Sequence, residues 1–241
     1  MFSETIELRV GENDHCVLVH EAILMKSPFF VRMLQKYPEK RRRDCHFPEF
    51  DQVAFATVMH WLHCESIPRI AEHDKADDIE IDTTHLVRVY CLCYKLELFS
   101  LANLAIEILG HGYMRDYSAP TLEEIEIAYH QTGDWSGIRF YMASWAFLRK
   151  HLDLKKHFLA PPRAAKELEA IQTKFPDLQW DLETWSKKMR PTTKIGPLPV
   201  NPHQHEICWY HRHTQDEKCV VDGLTFEAAG NGIEDRLPER V

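Results

Sequence analysis

Glycine is scarce here: nine residues in 241. They never form the G-x-G-x-x-G or G-x-x-x-x-G-K-[ST] spacing that cradles phosphate. No G-x-S-x-G elbow is present to raise a nucleophilic serine. No apolar run approaches the ~18 residues that span a bilayer. No leader-like stretch opens the chain either, because Met1 to Val10 already alternates like a charged strand. Positive charge is in deficit: 29 Lys and Arg face 37 Asp and Glu, a net charge of −8. Nucleic-acid affinity rests on clustered Lys and Arg neutralising phosphate, so nucleic acid is not an expected partner. The seven cysteines are odd in number and without regular spacing. Cys91 and Cys93 sit in an apolar helical pattern, where a thiol behaves as a small hydrophobe. These features set the expected compartment as intracellular, cytoplasmic or nuclear.

What is present reads as a folded protein, with 44% hydrophobic and 27% charged residues. Ile6, Leu8 and Val10 alternate with Thr5, Glu7 and Arg9, the pattern of a half-buried strand. Gly11-Glu12-Asn13-Asp14 is a turn cluster, and Cys16 to Val19 a second strand, so a hairpin is expected. A short helix over His20–Lys26 follows. Ser27-Pro28 then starts another, with Ser as N-cap and Pro at the first helical position. Cys45, Phe47 and Pro48 suggest a short edge strand. Asp51 can cap a helix carrying Ala54, Val58, Trp61 and Leu62 on one face. Residues 65–82 read as an acidic loop. Leu86, Val89, Tyr90 and Cys93 make a helical stripe, and Leu101, Leu104, Ala105 and Ile108 another. Gly110-His111-Gly112 closes the block.

Residues 121–190 read as three or four helices, with Ile138, Tyr141, Met142, Trp145 and Leu148 as the strongest stripe. Pro161-Pro162 and Pro176 break the run. Beyond Pro191 the chain turns proline-rich, then His/Cys-rich, then polar. Three segments are expected: 1–112, a helical extension over 113–190, and a tail over 191–241.

The first segment resembles the BTB/POZ family. The stretch from Val19 to Phe30 is similar to its "vHk-xx-L-xx-S-x-F-F" signature, carried by His20, Leu24, Ser27, Phe29 and Phe30. Phe47-Pro48-Glu49-Phe50-Asp51, Phe55 and Trp61-Leu62-His63 resemble the family's next block. Leu86 to Tyr90, Lys95-Leu96, Leu101 and Asn103-Leu104-Ala105 resemble its closing helix pair. The whole chain is similar to fungal members with a helical C-terminal extension. The resemblance implies an α+β fold, a helical bundle flanked by a short sheet, followed here by an all-α region and an extended tail. It implies Leu24, Phe29, Phe30 and Trp61 as core.

The function the family implies is protein–protein interaction without enzymatic activity, including substrate adaptation for cullin-type ubiquitin ligases. That contact uses a hydrophobic-x-Glu element, and Tyr37-Pro38-Glu39 stands at the corresponding place. A scaffold or transcriptional co-regulator that never meets a cullin remains the alternative. The chain opens on the first hairpin strand, so the family's exchanged dimer is not expected, while other self-association stays open. Lys40-Arg41-Arg42-Arg43 reads as a solvated loop or an import signal.

Four histidines and two cysteines lie between His203 and Cys219. Cys208, His211, His213 and Cys219 offer two thiolates and two imidazoles, the ligand types of a tetrahedral structural zinc. A zinc-stabilised regulatory protein is the reading from a different class. The competing reading docks Trp209 and Tyr210 on the helical region. The acidic runs, including Glu123-Glu124 and Glu126, read as solvated faces, and His20 as a structural hydrogen-bonding residue.

Overall fold

The structure, a computed structural model, describes residues 5–36, 45–64, 82–115, 120–134, 136–151, 169–188, 210–212, 219–221 and 224–226. These residues form an α+β protein, mostly helical, with one three-stranded sheet and one two-stranded sheet. Their contacts divide the chain into two units, Met1–Ala105 and Ile106–Val241.

The first unit begins with β1 (Thr5–Val10) and β2 (His15–His20), an antiparallel hairpin with Ile6 opposite Val19 and Leu8 opposite Val17. Its alternation works as read: Ile6, Leu8 and Val10 are buried, while Thr5 and Arg9 face solvent. Gly11 turns the chain at φ +76°, where a side chain is strained, and its N–H donates to Phe47 O. Helices α1 (Glu21–Leu24) and α2 (Pro28–Lys36) carry the chain over to β3 (Cys45–Phe47). Strand β3 pairs parallel with β1, giving the order β2-β1-β3.

Helix α3 (Gln52–Cys64) is capped by Asp51, whose Oδ1 accepts from Ala54 N at 2.8 Å. Helix α4 (Thr83–Leu96) is capped in the same way by Asp82, which accepts from His85 N at 2.9 Å. It ends at Glu97, left-handed at φ 59°, with Leu98 N donating back to Cys93 O. Helix α5 (Phe99–Arg115) follows.

Aromatic residues join sheet to helices in this unit. Phe47 stacks on Phe50 at 4.8 Å, Phe30 meets Phe47 edge-on at 5.9 Å, and Phe55 lies 6.2 Å from Phe50. Burying each Phe or Leu contributes about 1.5–3 kcal/mol, so this cluster outweighs any single hydrogen bond. Leu24 and Phe30 are fully buried, as expected. Phe29 and Trp61 are only half-buried, a correction to their reading as core. On α3 the inward positions are Ala54, Phe55, Val58 and Leu62, which leaves Trp61 at the edge of that face.

The boundary expected at 112 lies inside α5, which runs through Gly110-His111-Gly112 to Arg115. Each glycine costs a helix about 1 kcal/mol relative to Ala. Burial of Leu109 and Tyr113 around them offsets that cost.

The second unit contains α6 (Leu122–Gln131), α7 (Gly137–His151), a helical stretch at 169–174, and α8 (Pro176–Lys188). Helix α7 packs on both α6 and α8. Its stripe of Ile138, Tyr141, Met142 and Trp145 is buried. Pro176 opens α8, where its missing N–H is harmless. The tail holds a hairpin that the extended reading omitted: β4 (Cys219–Val221) pairs antiparallel with β5 (Leu224–Phe226). Its sequence signal is Asp222-Gly223 between β-formers. Of the acidic loop expected over 65–82, residues 65–81 lie outside the described residues, as does the Pro161-Pro162 break, while Asp82 caps α4.

Two expectations follow for stability. Ser27, fully buried, donates through Oγ to Leu96 O at 2.7 Å. Ser27→Ala should lower unfolding free energy by about 1–3 kcal/mol in urea titration, because it removes a buried partner. Half-buried His85 lies with Nε2 3.0 Å from Thr57 Oγ1, whose hydroxyl is 3.2 Å from Val53 O. Burial pushes the His85 pKa below its ordinary 6.5, against the upward pull of Asp82 and Asp51. The unfolded chain therefore binds the extra proton first, and stability is lost as pH falls below about 6.5. Urea midpoints from pH 7.5 to 5 should drop less steeply in His85→Gln. Parallel curves for the two proteins would overturn this assignment.

Candidate interaction surfaces

The family-like signature occupies one stretch of the first unit. His20 precedes α1 in extended conformation, is exposed, and makes no side-chain cap. Its expected hydrogen-bonding role is therefore not seen at the helix start. Leu24 and Phe30 point into the core, and Ser27 fixes the start of α2 to the end of α4. Arg32 of α2 makes a two-pronged ion pair with Glu97, the left-handed residue ending α4. Both groups are substantially exposed, so the pair positions more than it stabilises. Tyr37 and Glu39 come directly after α2 and lie outside the described residues, as do Lys40 to Arg43.

A cleft of about 260 Å³ opens in this unit, lined by Lys26, Pro28, Trp61, Glu97, Leu98 and Phe99 among others. This is where half-buried Trp61 is used. Lys26 Nζ donates to Leu62 O at 2.7 Å, which caps the last turn of α3 and commits part of the cleft's positive charge. Leu18 on the edge strand β2, Met25 and Val53 are the large exposed hydrophobics among the described residues.

Of the four candidate zinc ligands, Cys208 and His213 lie outside the described residues, and Cys219 begins β4. His211 is buried, with Nε2 3.4 Å from Glu107 Oε1 on α5. Among the described residues, no three His, Cys, Asp or Glu converge in a metal-binding group. Beside it, Tyr210 is buried against Tyr141, at 5.2 Å and edge-on.

The most polar buried cluster surrounds Arg139 on α7. Its Nη2 donates to Tyr129 O at 2.7 Å and to Thr132 O, carbonyls at the end of α6. Its Nη1 reaches Asp134 at 2.9 Å and Asp177 at 3.3 Å, the latter in the first turn of α8. The guanidinium also lies 5.0 Å from the Tyr129 ring centroid. Tyr129 in turn donates to Asp181 of α8 at 2.7 Å. Thr132 and Ser136 hydroxyls share a 2.7 Å hydrogen bond, and Thr132 donates to Ala128 O. Arg139 thus ties the ends of three helices together. Its Nη donors are directed at protein groups, which makes the cluster a structural clamp.

The reading of Glu124 as solvated needs correction. It is fully buried at the third position of α6. Thr121 and Glu124 form a reciprocal capping box, and Tyr113 OH donates to Glu124 Oε2 at 3.0 Å. The Thr-x-x-Glu spacing was the available signal. Tyr113 as the partner was not, because it comes from α5.

No helix among the described residues is long and apolar enough to cross a membrane. A scan against protein-family models finds no match, and a search of curated proteins finds none.

Arg139→Met should destabilise the helical unit by about 3–5 kcal/mol, since it strands two buried carbonyls and uncouples the carboxylates. Urea unfolding followed by tryptophan fluorescence measures it. A loss below about 1 kcal/mol would show that the clamp is dispensable.

Proposed function

We propose that this chain is a non-enzymatic, intracellular protein-interaction protein of the BTB/POZ type. In this reading it adapts partner proteins to a cullin-type ubiquitin ligase through the segment Tyr37–Glu39. The observation that carries the reading is the signature stretch itself. His20 to Phe30 spans the link from β2 through α1 into α2, with Leu24, Ser27 and Phe30 buried. A Ser at that place needs a buried acceptor, and Leu96 O supplies one across 69 residues of sequence. The element order supports the same reading: hairpin, two helices, short parallel strand, helix, then a helix pair. The half-exposed Trp61 cleft adds a surface suited to a partner side chain.

Cullin contact would run through Tyr37 as the apolar anchor and Glu39 as the charged one. The test is binding of the full chain to a cullin N-terminal domain by biolayer interferometry. Tyr37→Ala should weaken binding about tenfold or more, the ~1.4 kcal/mol scale of one lost anchor. Equal binding by wild type and variant, or none by either, would remove the ligase role and leave the scaffold or co-regulator reading.

A further inference from the structure

Strand β2 is an outer strand of the three-stranded sheet, whose order is β2-β1-β3. The direction of its backbone groups follows from the pairing. Gly11 N–H donates to Phe47 O of β3, so the odd-numbered residues of β1 turn their N–H and C=O toward β3. The even-numbered ones, Ile6, Leu8 and Val10, turn theirs toward Val19, Val17 and His15 of β2. The N–H and C=O of Cys16, Leu18 and His20 therefore point away from the sheet. Among the described residues, no strand pairs with them.

Sheets protect such an edge with a lysine, a proline, a bulge or a short strand. Strand β2 is His-Cys-Val-Leu-Val-His, with no Lys, Arg, Asp, Glu or Pro, and it pairs with β1 residue for residue. Leu18, the middle of the outward residues, is 67% exposed. An added antiparallel strand has to set outward residue against outward residue. A second copy turned about a two-fold axis does this with the strand it already has. Leu18 then lies opposite Leu18 of the second copy, and Cys16 opposite His20 of the second copy. Sliding the copies by two residues leaves an outward residue of each strand without its pair. Sliding by one joins the apolar face of one sheet to the solvated face of the other. The charges agree with the same register. His15 comes beside the first turn of the second copy's α1, which carries Glu21, and no acidic residue opposes another.

We propose that β2 is a self-association edge, on which two copies of the chain pair antiparallel about Leu18 and merge their sheets. One strand supplies both halves of the contact, as a two-fold interface requires. The contact is small, so the dimer is weak, with a Kd on the order of 10 µM. The proposal rests on the sheet edge alone and not on the BTB/POZ reading or on cullin binding.

The experiment is sedimentation equilibrium of the full chain from about 1 to 100 µM, with chelator and reductant so that neither metal nor disulfide joins copies. Wild type should dimerise as concentration rises. Leu18→Lys sets like charges face to face on the axis and should weaken the dimer at least about tenfold. Val53→Lys, at an exposed apolar residue away from the edge, should change nothing. The register has its own readout. Residues opposite each other at hydrogen-bonded positions have Cα atoms about 5.5 Å apart, within reach of a disulfide. His20→Cys should therefore crosslink to Cys16 of the second copy under copper–phenanthroline oxidation, and Cys16→Ser in the same chain should abolish the crosslink. Should circular dichroism show Leu18→Lys unfolded, this crosslink decides. A wild type that stays monomeric, a folded Leu18→Lys that dimerises equally well, or a missing crosslink overturns the proposal.

Discussion

A helix that is apolar on nearly every side has to be surrounded, and α4 is such a helix. Leu86, Val87, Val89, Tyr90, Cys91, Leu92, Cys93 and Leu96 are all buried along its length. Helices α2 and α3 pack against it. Its two thiols behave as the small hydrophobes the sequence suggested. Burial also holds Cys93 firmly in its thiol form. The start of α2 is fixed to the end of α4 by Ser27, and Arg32 reaches the Glu97 that terminates it. Within the stretch from Val19 to Phe30, Leu24, Ser27 and Phe30 are buried, and Ser27 is tied directly to this helix.

The helical unit is organised by a different kind of force. Here one buried guanidinium collects carbonyls and carboxylates from α6, the following turn and α8. Such a charge is tolerated only because its partners arrive together, which makes the arrangement specific rather than merely cohesive. Tyr113–Glu124 and Tyr129–Asp181 repeat the device with phenols. Tyr141 and Tyr210 pack edge-on, and burial raises the hydroxyl pKa of both and keeps them neutral.

Much of this was legible in the chain because it is local. The alternation in β1, the Asp51 cap, the Ser27-Pro28 start and the α7 stripe each depend on neighbours within a few positions. The misreadings share a cause as well. Gly110 and Gly112 carry a breaker's composition, yet burial of Leu109 and Tyr113 keeps the helix intact. Trp61 carries a core residue's chemistry, but its angular position on α3 leaves it lining a cleft. Glu124 sits in an acidic run, and a phenol from another helix makes it a buried acceptor.

By itself, then, the sequence determined the first hairpin, most of the helices, the Asp51 cap and the candidate residues, because hydrophobic period and capping chemistry act over a turn or two. The tertiary structure alone decided which half of an amphipathic residue meets water and which distant groups meet each other. Ser27 with Leu96, Arg139 with Asp177, and His211 with Glu107 are separated by dozens of residues or more. No local spacing encodes such pairs: they exist because burial leaves polar atoms no water to turn to, and the nearest partner is the one the packing supplies.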